Sequence, residues 1–223
     1  MEELRTRLLS HLRRRTDLAG TLVEVGEATY HITHPAVPDA LIDEEDFARD
    51  ERLPYWAELW PSAVALARYI SNENLAGRRA VELGCGVGLP SVISLSQGAR
   101  ITATDHYEAA LDFARYNARA NLNLELETCI LDWHEPVAQA LGSFDLVLAA
   151  DVLYEGRYVT ALSALIPTLL APGGEILLAD PNRKYSPTFL KRMQEKGFHA
   201  STEEHAVSPD GREVAILVHR LRR

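Results

Sequence analysis

The sequence predicts an α/β protein: a seven-stranded, mostly parallel sheet with helices on both faces, an antiparallel C-terminal strand pair, and a small N-terminal helix and hairpin. Three observations predict it. From Arg79 to Asp180, short apolar runs alternate with stretches of helical periodicity, as parallel strands buried on both faces do when helices join them. A glycine-rich turn, Gly84-Cys85-Gly86-Val87-Gly88, lies where the first run passes into the first of those helices. Near the end, Pro209-Asp210-Gly211 separates two further extended runs and reads as a hairpin turn.

Taken in order, Leu4, Leu8, Leu9 and Leu12 recur at helical spacing among charges, so residues 2–15 read as an amphipathic helix. Residues 21–32 alternate apolar and polar side chains around Gly26 (Val23, Val25, Ala28, Tyr30, Ile32), which predicts a hairpin. His31 and His34 lie beside it without other ligands and read as surface or structural histidines. Residues 39–52 are acidic and poor in apolar side chains, an exposed connection or short helix. The character changes at Leu53, which divides the chain into an extension, 1–52, and a main domain, 53–223.

Pro61 opens a helix whose apolar positions are Val64, Leu66, Ala67 and Ile70. Strands are then expected over 79–83, 100–104, 124–131, 144–150, 175–180, 199–207 and 213–219, with helices over 90–97, 108–121, 157–170 and 187–196.

A chain of 223 residues suits one core with an appendage. The balance, 47% hydrophobic and 25% charged, is that of a folding domain rather than a disordered one. The net charge of −9 repels phosphate backbones, which argues against nucleic acid as partner and favours a cationic substrate. Two cysteines, Cys85 and Cys129, do not make a disulfide framework, and no Cys/His group has zinc-ligand spacing, so no metal and a reducing, cytoplasmic setting are expected. No apolar run reaches the roughly 18 residues of a membrane span. Arginines and leucines near the start would suit a mitochondrial presequence, but Glu2 and Glu3 count against one.

Chemistry concentrates at the carboxyl ends of the predicted strands, where parallel sheets gather ligands. In Val81-Glu82-Leu83-Gly84-Cys85-Gly86-Val87-Gly88 the glycines allow a tight turn and let backbone amides approach a ligand. A dinucleotide-binding turn would end in a glycine where Leu89 stands. Gly-x-Gly-x-Gly with an acid two residues ahead instead resembles the first motif of the class I, Rossmann-like S-adenosylmethionine-dependent methyltransferases. That resemblance implies that Gly84, Cys85, Gly86 and Gly88 wrap the methionine half of S-adenosyl-L-methionine, with Glu82 beneath them facing its ammonium. It further implies Asp105 on the ribose hydroxyls, Asp132 and Trp133 around the adenine, and Ala150 beside the cofactor. His106 occupies a position where an adenine-packing residue is common and would stack there or point to water.

On the substrate side, Asp151-Val152-Leu153-Tyr154 lacks the prolines of nucleic-acid adenine methyltransferases and looks like the Asp-x-x-Tyr of methyltransferase family 16, a group rich in protein-lysine methyltransferases. Pro54-Tyr55-Trp56-Ala57 and Trp60-Pro61 are similar to the branch that modifies the electron-transfer flavoprotein β subunit, as is Asp180-Pro181. By this resemblance Trp60 lines the cofactor, and Asp151 and Tyr154 hold a substrate amine. The partner expected is a protein presenting a lysine, met by a monomer. A small-molecule N-methyltransferase and a non-catalytic cofactor-binding module remain open, since fold and ligand binding do not ensure chemistry.

Overall fold

The computed structural model describes residues 1–42, 53–135, 142–208 and 211–223. A helix, α1 (Glu2–Leu12), leads into a hairpin of β1 (Leu18–Val25) and β2 (Ala28–Pro35). The remaining elements are α2 (Pro61–Ile70), β3 (Arg79–Leu83), α3 (Leu89–Ser96), β4 (Arg100–Asp105), α4 (Glu108–Leu122), β5 (Glu127–Ile130), β6 (Phe144–Ala150), α5 (Gly156–Leu169), β7 (Leu170–Asp180), α6 (Ser186–Glu195), β8 (His199–Val207) and β9 (Val214–Arg222). No helix among the described residues is long and apolar enough to cross a membrane.

The seven-stranded sheet runs in the order β5-β4-β3-β6-β7-β9-β8. All neighbours are parallel except β7 with β9 and β9 with β8. Because β4 and β5 lie on one side of β3 and β6 on the other, the side on which successive strands are added switches between β3 and β6. The carboxyl ends of those two strands therefore open a crevice that neither crossover covers.

Side chains alternate across the sheet with the period of two that a strand imposes. Leu146 and Leu148 of β6 join Leu66, Leu89 and Phe113 on one face, while Val147 and Ala149 join Leu162, Phe189 and Phe198 on the other. Leu8 and Leu12 of α1 and Val23, Val25 and Ile32 of the hairpin belong to the first of these clusters, so the extension shares the core of the sheet. Its attachment is also polar. Buried Asn117 of α4 accepts from the Thr33 N–H at 2.8 Å and donates to the carbonyls of Thr33 at 3.0 Å and Val87 at 2.8 Å. One turn on, Asn121 makes the same pair of bonds to the backbone of His31. Four residues of helix rise about 6 Å and two residues of strand about 6.7 Å, so the two asparagines match alternate residues of β2.

Boundaries depart from the sequence reading in several places. The hairpin strands and β9 run longer than expected. Helix α1 stops at Leu12 because Arg13 and Arg14 turn left-handed, with φ of 48° and 58°. Beyond Leu12 no apolar residue comes before Leu18 to continue the buried stripe. β5 begins at Glu127 rather than 124, after Asn123 caps α4 in the left-handed region. β7 begins at Leu170 rather than 175, and Pro172-Gly173-Gly174, whose residues suggest a turn before the strand, is an irregularity inside it, between the pairs Phe144–Leu170 and Leu146–Glu175. Of the acidic stretch 39–52, residues 43–52 lie outside the described residues, as do Pro209 and Asp210 of the last turn.

Candidate active site

The glycine turn begins where β3 ends. Gly84, Gly86 and Gly88 all have positive φ (67°, 52° and 85°), a region in which a side chain is strained. A Cβ on Gly84 would stand 3.0 Å from the Trp133 ring, and one on Gly86 would stand 3.1 Å from the Trp56 carbonyl. These two glycines therefore keep a narrow passage open between aromatic walls. Gly88 does something else. It does not border the cavity but caps α3, and a Cβ there would lie 2.5 Å from that of Ala114.

Below the turn Glu82 is 1% exposed and accepts a short hydrogen bond from the Ser91 Oγ–H. Burial, only partly offset by the bonds from Ser91, pushes its carboxyl up to about 8. Asp105, at the end of β4, accepts from the Gly86 N–H and the Tyr107 N–H, each at 3.0 Å, which ties the glycine turn to the second strand. Burial raises its pKa, and these backbone donors oppose the rise. Asp132 accepts from the His134 N–H at 2.8 Å and faces His106 at 3.5 Å. Trp133 stands edge-on to Tyr158 at 5.0 Å, and its buried Nε1 has no hydrogen-bond partner among the described residues.

The opposite wall comes from two places distant in sequence. Residues 55–57 make one 3-10 turn, after which Trp60 precedes Pro61 at the start of α2 and donates from Nε1 to the Tyr55 carbonyl at 2.8 Å. Trp56 packs on Phe113 of α4 at 5.5 Å, which pins this turn over the glycines. At the end of β6, Asp151 adopts the left-handed conformation (φ 58°), an uncommon one for a residue with a side chain. Its N–H is held by the Ala179 carbonyl at 2.9 Å, and its carboxylate is gripped on both oxygens by Arg183. Tyr154 lies edge-on to Tyr55 at 5.2 Å and to Tyr158 at 5.0 Å. Burial, reinforced by Tyr158, drives the Tyr154 hydroxyl well above its ordinary range, so it stays protonated.

These walls enclose one cavity of about 410 Å³. Trp60, Glu82, Gly84, Cys85, Gly86, Asp105, Asp132, Trp133, Ala150, Asp151 and Tyr154 all border it, whereas Gly88 does not. Among the bordering residues to which the sequence reading gives no role are Glu58, Tyr107, Tyr158 and Arg183. Burial, and then the nearby Asp39, push the Glu58 carboxyl up. A cluster that would hold a metal is absent among the described residues.

The chain has relatives among known proteins. The sequence profile of the family described as lysine methyltransferase matches residues 47–196. The chain is 31% identical over 154 residues to the EEF1A lysine methyltransferase 3 of Mus musculus, which covers 66% of each. It is 33% identical over 134 residues to the electron transfer flavoprotein beta subunit lysine methyltransferase of Danio rerio, covering 58% of this chain and 51% of that one. The alignments thus span less than two thirds of either relative's length. Among solved structures, magnesium protoporphyrin IX methyltransferase from Synechocystis, crystallised with bound SAM, superposes with a TM-score of 0.54 at 22% identity, over 73% of this chain and 78% of that one, which shows the shared fold. With the profile spanning most of the sheet and the whole aromatic and glycine-turn apparatus, the chain belongs to the lysine methyltransferase family.

Proposed function

We propose that the protein is an S-adenosylmethionine-dependent N-methyltransferase acting on a lysine of a protein substrate. The observation that carries this reading is the joining, in one cavity, of a glycine-and-carboxylate half at β3–β4 with an acid-and-aromatic half at β6 and α2. The first half fits the cofactor. It offers a passage free of Cβ atoms at Gly84 and Gly86, a buried carboxylate at Asp105, and an unpaired indole N–H at Trp133. Bound S-adenosylmethionine would supply a methyl group on a positively charged sulfur. Asp105 would hold its ribose, Asp132 and Trp133 its adenine, and Glu82 with the glycine turn its methionine end. Ala150 and Trp60 would wall it toward the substrate.

The second half suits an amine. An ordinary lysine has a pKa of about 10.4 and is mostly charged at neutral pH, without the lone pair that attack requires. Tyr154 stays protonated, so it serves as a hydrogen-bonding partner rather than a base. The aromatic walls desolvate a bound amine, which favours its neutral form, while Asp151 and Tyr154 orient the nitrogen. Free Cys85 and Cys129 suit work in the reducing cytoplasm, and the acidic balance favours a cationic protein over nucleic acid as partner.

Incubation with radiolabelled S-adenosylmethionine and a cell extract, resolved on a gel, should yield a discrete labelled protein. Asp151→Ala should weaken that band by roughly 10²-fold, the scale of a lost positioning group. Label confined to low-mass material would make the substrate a small molecule. Unchanged single-turnover transfer by both Asp151→Ala and Tyr154→Phe would sink the assignment of those two residues.

A further inference from the structure

The acid assigned to the substrate amine is already occupied by a cation of the protein itself. Arg183 donates to both carboxylate oxygens of Asp151, from Nε to Oδ1 and from Nη2 to Oδ2 at 3.0 Å. Its guanidinium carbon also stands 5.8 Å from the centre of the Trp60 ring. A carboxylate below and an aromatic face beside form the surroundings that attract an organic cation.

The loop after β7 is built to deliver that side chain. Asp180 is fully buried, and its Oδ1 accepts both the Arg183 N–H at 2.7 Å and the Ser186 hydroxyl at 2.6 Å. Asn182, next in the loop, takes the left-handed conformation at φ 62°. Asp151 and Asn182 are thus both side-chain-bearing residues in the left-handed region, the first a member of the Asp151–Arg183 pair and the second next to Arg183 in sequence, and such backbone collects at functional sites. The guanidinium end is nevertheless not locked away. The Asp151 side chain is 5% exposed and that of Arg183 is 33% exposed, so Arg183 has a path out to solvent.

We propose that Arg183 is a resident stand-in for the substrate's cation and sets a threshold for entry. A lysine must displace a two-pronged ion pair to reach Asp151. A small free amine has only its own charge with which to compete, whereas a lysine on a docked protein draws on the whole interface. Arg183 is in this sense a specificity-determining residue, selecting tethered lysines over free amines. The inference rests on the reading of Asp151 as the amine's partner.

The test uses n-butylammonium as probe, titrated at constant ionic strength against the full chain and followed by tryptophan fluorescence. Arg183→Met retains the length of the side chain without its charge and should bind the probe at least tenfold more tightly than the unmodified protein. Adding Asp151→Asn to that variant should abolish the gain. Arg183→Gln serves if the methionine variant does not fold, judged by circular dichroism. No tightening in a folded variant, or tightening that survives Asp151→Asn, overturns the role of Arg183. Calorimetry with S-adenosylhomocysteine separates the two readings. A chain that does not bind it sinks the methyltransferase reading, whereas one that binds it but shows no gain in amine affinity sinks only the role of Arg183.

Discussion

Three carboxylates at the site differ in how their charge is managed, and the differences have consequences. Asp151 is neutralised by Arg183, Asp105 is held by two backbone N–H groups, and Glu82 has, among the described residues, only Ser91 to satisfy it. An unfolded glutamate titrates near ~4.3, whereas burial raises Glu82 to about 8. Between those values the folded protein holds a proton that the unfolded chain has lost. The stability from this protonated carboxyl is complete below the lower value and disappears as pH rises through the upper one. In the cofactor-free protein, Glu82→Gln should therefore gain in melting temperature relative to the unmodified chain between pH 5 and pH 8.5, on the order of 5 °C. A difference that does not change with pH would show that Glu82 is not buried in this way. Arg183 could not be read as a site residue from the sequence, because it falls in no motif and depends on a loop folding over the cavity. Glu58 lies inside the aromatic stretch before α2, but the pattern gives it no role because only the fold turns it to the cavity. The rule that ligands gather at strand ends pointed to the neighbourhood of Asp180 but not to which side chain turns inward.

Elements were legible wherever local chemistry decides them. β3 and β6 begin and end at the expected residues, since apolar runs bounded by charged or turn residues leave little choice. Where a terminus depends on what it packs against, as at β5 and at the end of α1, the sequence pattern overran. The glycine turn shows the same division. A motif reading gives all three glycines one role, but the fold gives Gly88 to the contact between α3 and α4. Gly88→Ala should cost about 2–5 kcal/mol in urea denaturation, the sum of a left-handed side chain and a core collision. Gly197→Ala, at φ 87° with no heavy atom within 4 Å of its Cβ, should cost only about 1–2 kcal/mol.

Across the whole molecule, the two ends of the sheet carry different work. The carboxyl ends hold the cavity, while near the amino end of the central strands Glu175 collects Arg78, Arg220 and Arg222. Burial alone would raise the Glu175 pKa, but hydrogen bonds from Arg78 and Arg222 outweigh it and lower the value. Its contribution is therefore present at neutral pH and lost as pH falls through that lowered pKa. Glu175→Gln should destabilise the protein at pH 7 and have little effect near pH 3, as read from urea midpoints. The extension is likewise part of the whole. Leu12 is 1% exposed among residues of the main core, so we propose that the described part of the extension, residues 1–42, is an integral layer and not a separate unit. Leu12→Ala should cost about 2–5 kcal/mol in a single cooperative transition. An early, separate transition for the extension would contradict this.

The sequence by itself determined the order of strands and helices along the chain, the glycine turn, the acids at or next to the ends of β3, β4 and β6, and the aromatic stretch before α2. Each of these rests on periodicity or spacing within a few residues. Only the tertiary structure decided that Asn117 fastens the hairpin to the glycine turn, that Gly88 faces Ala114, and that Arg183 sits on Asp151. Those are meetings of residues about 30 or more positions apart, with the exception of Gly88 and Ala114, which lie nearer but on different helices. Such meetings depend on how the sheet twists and its loops close, which no local pattern encodes.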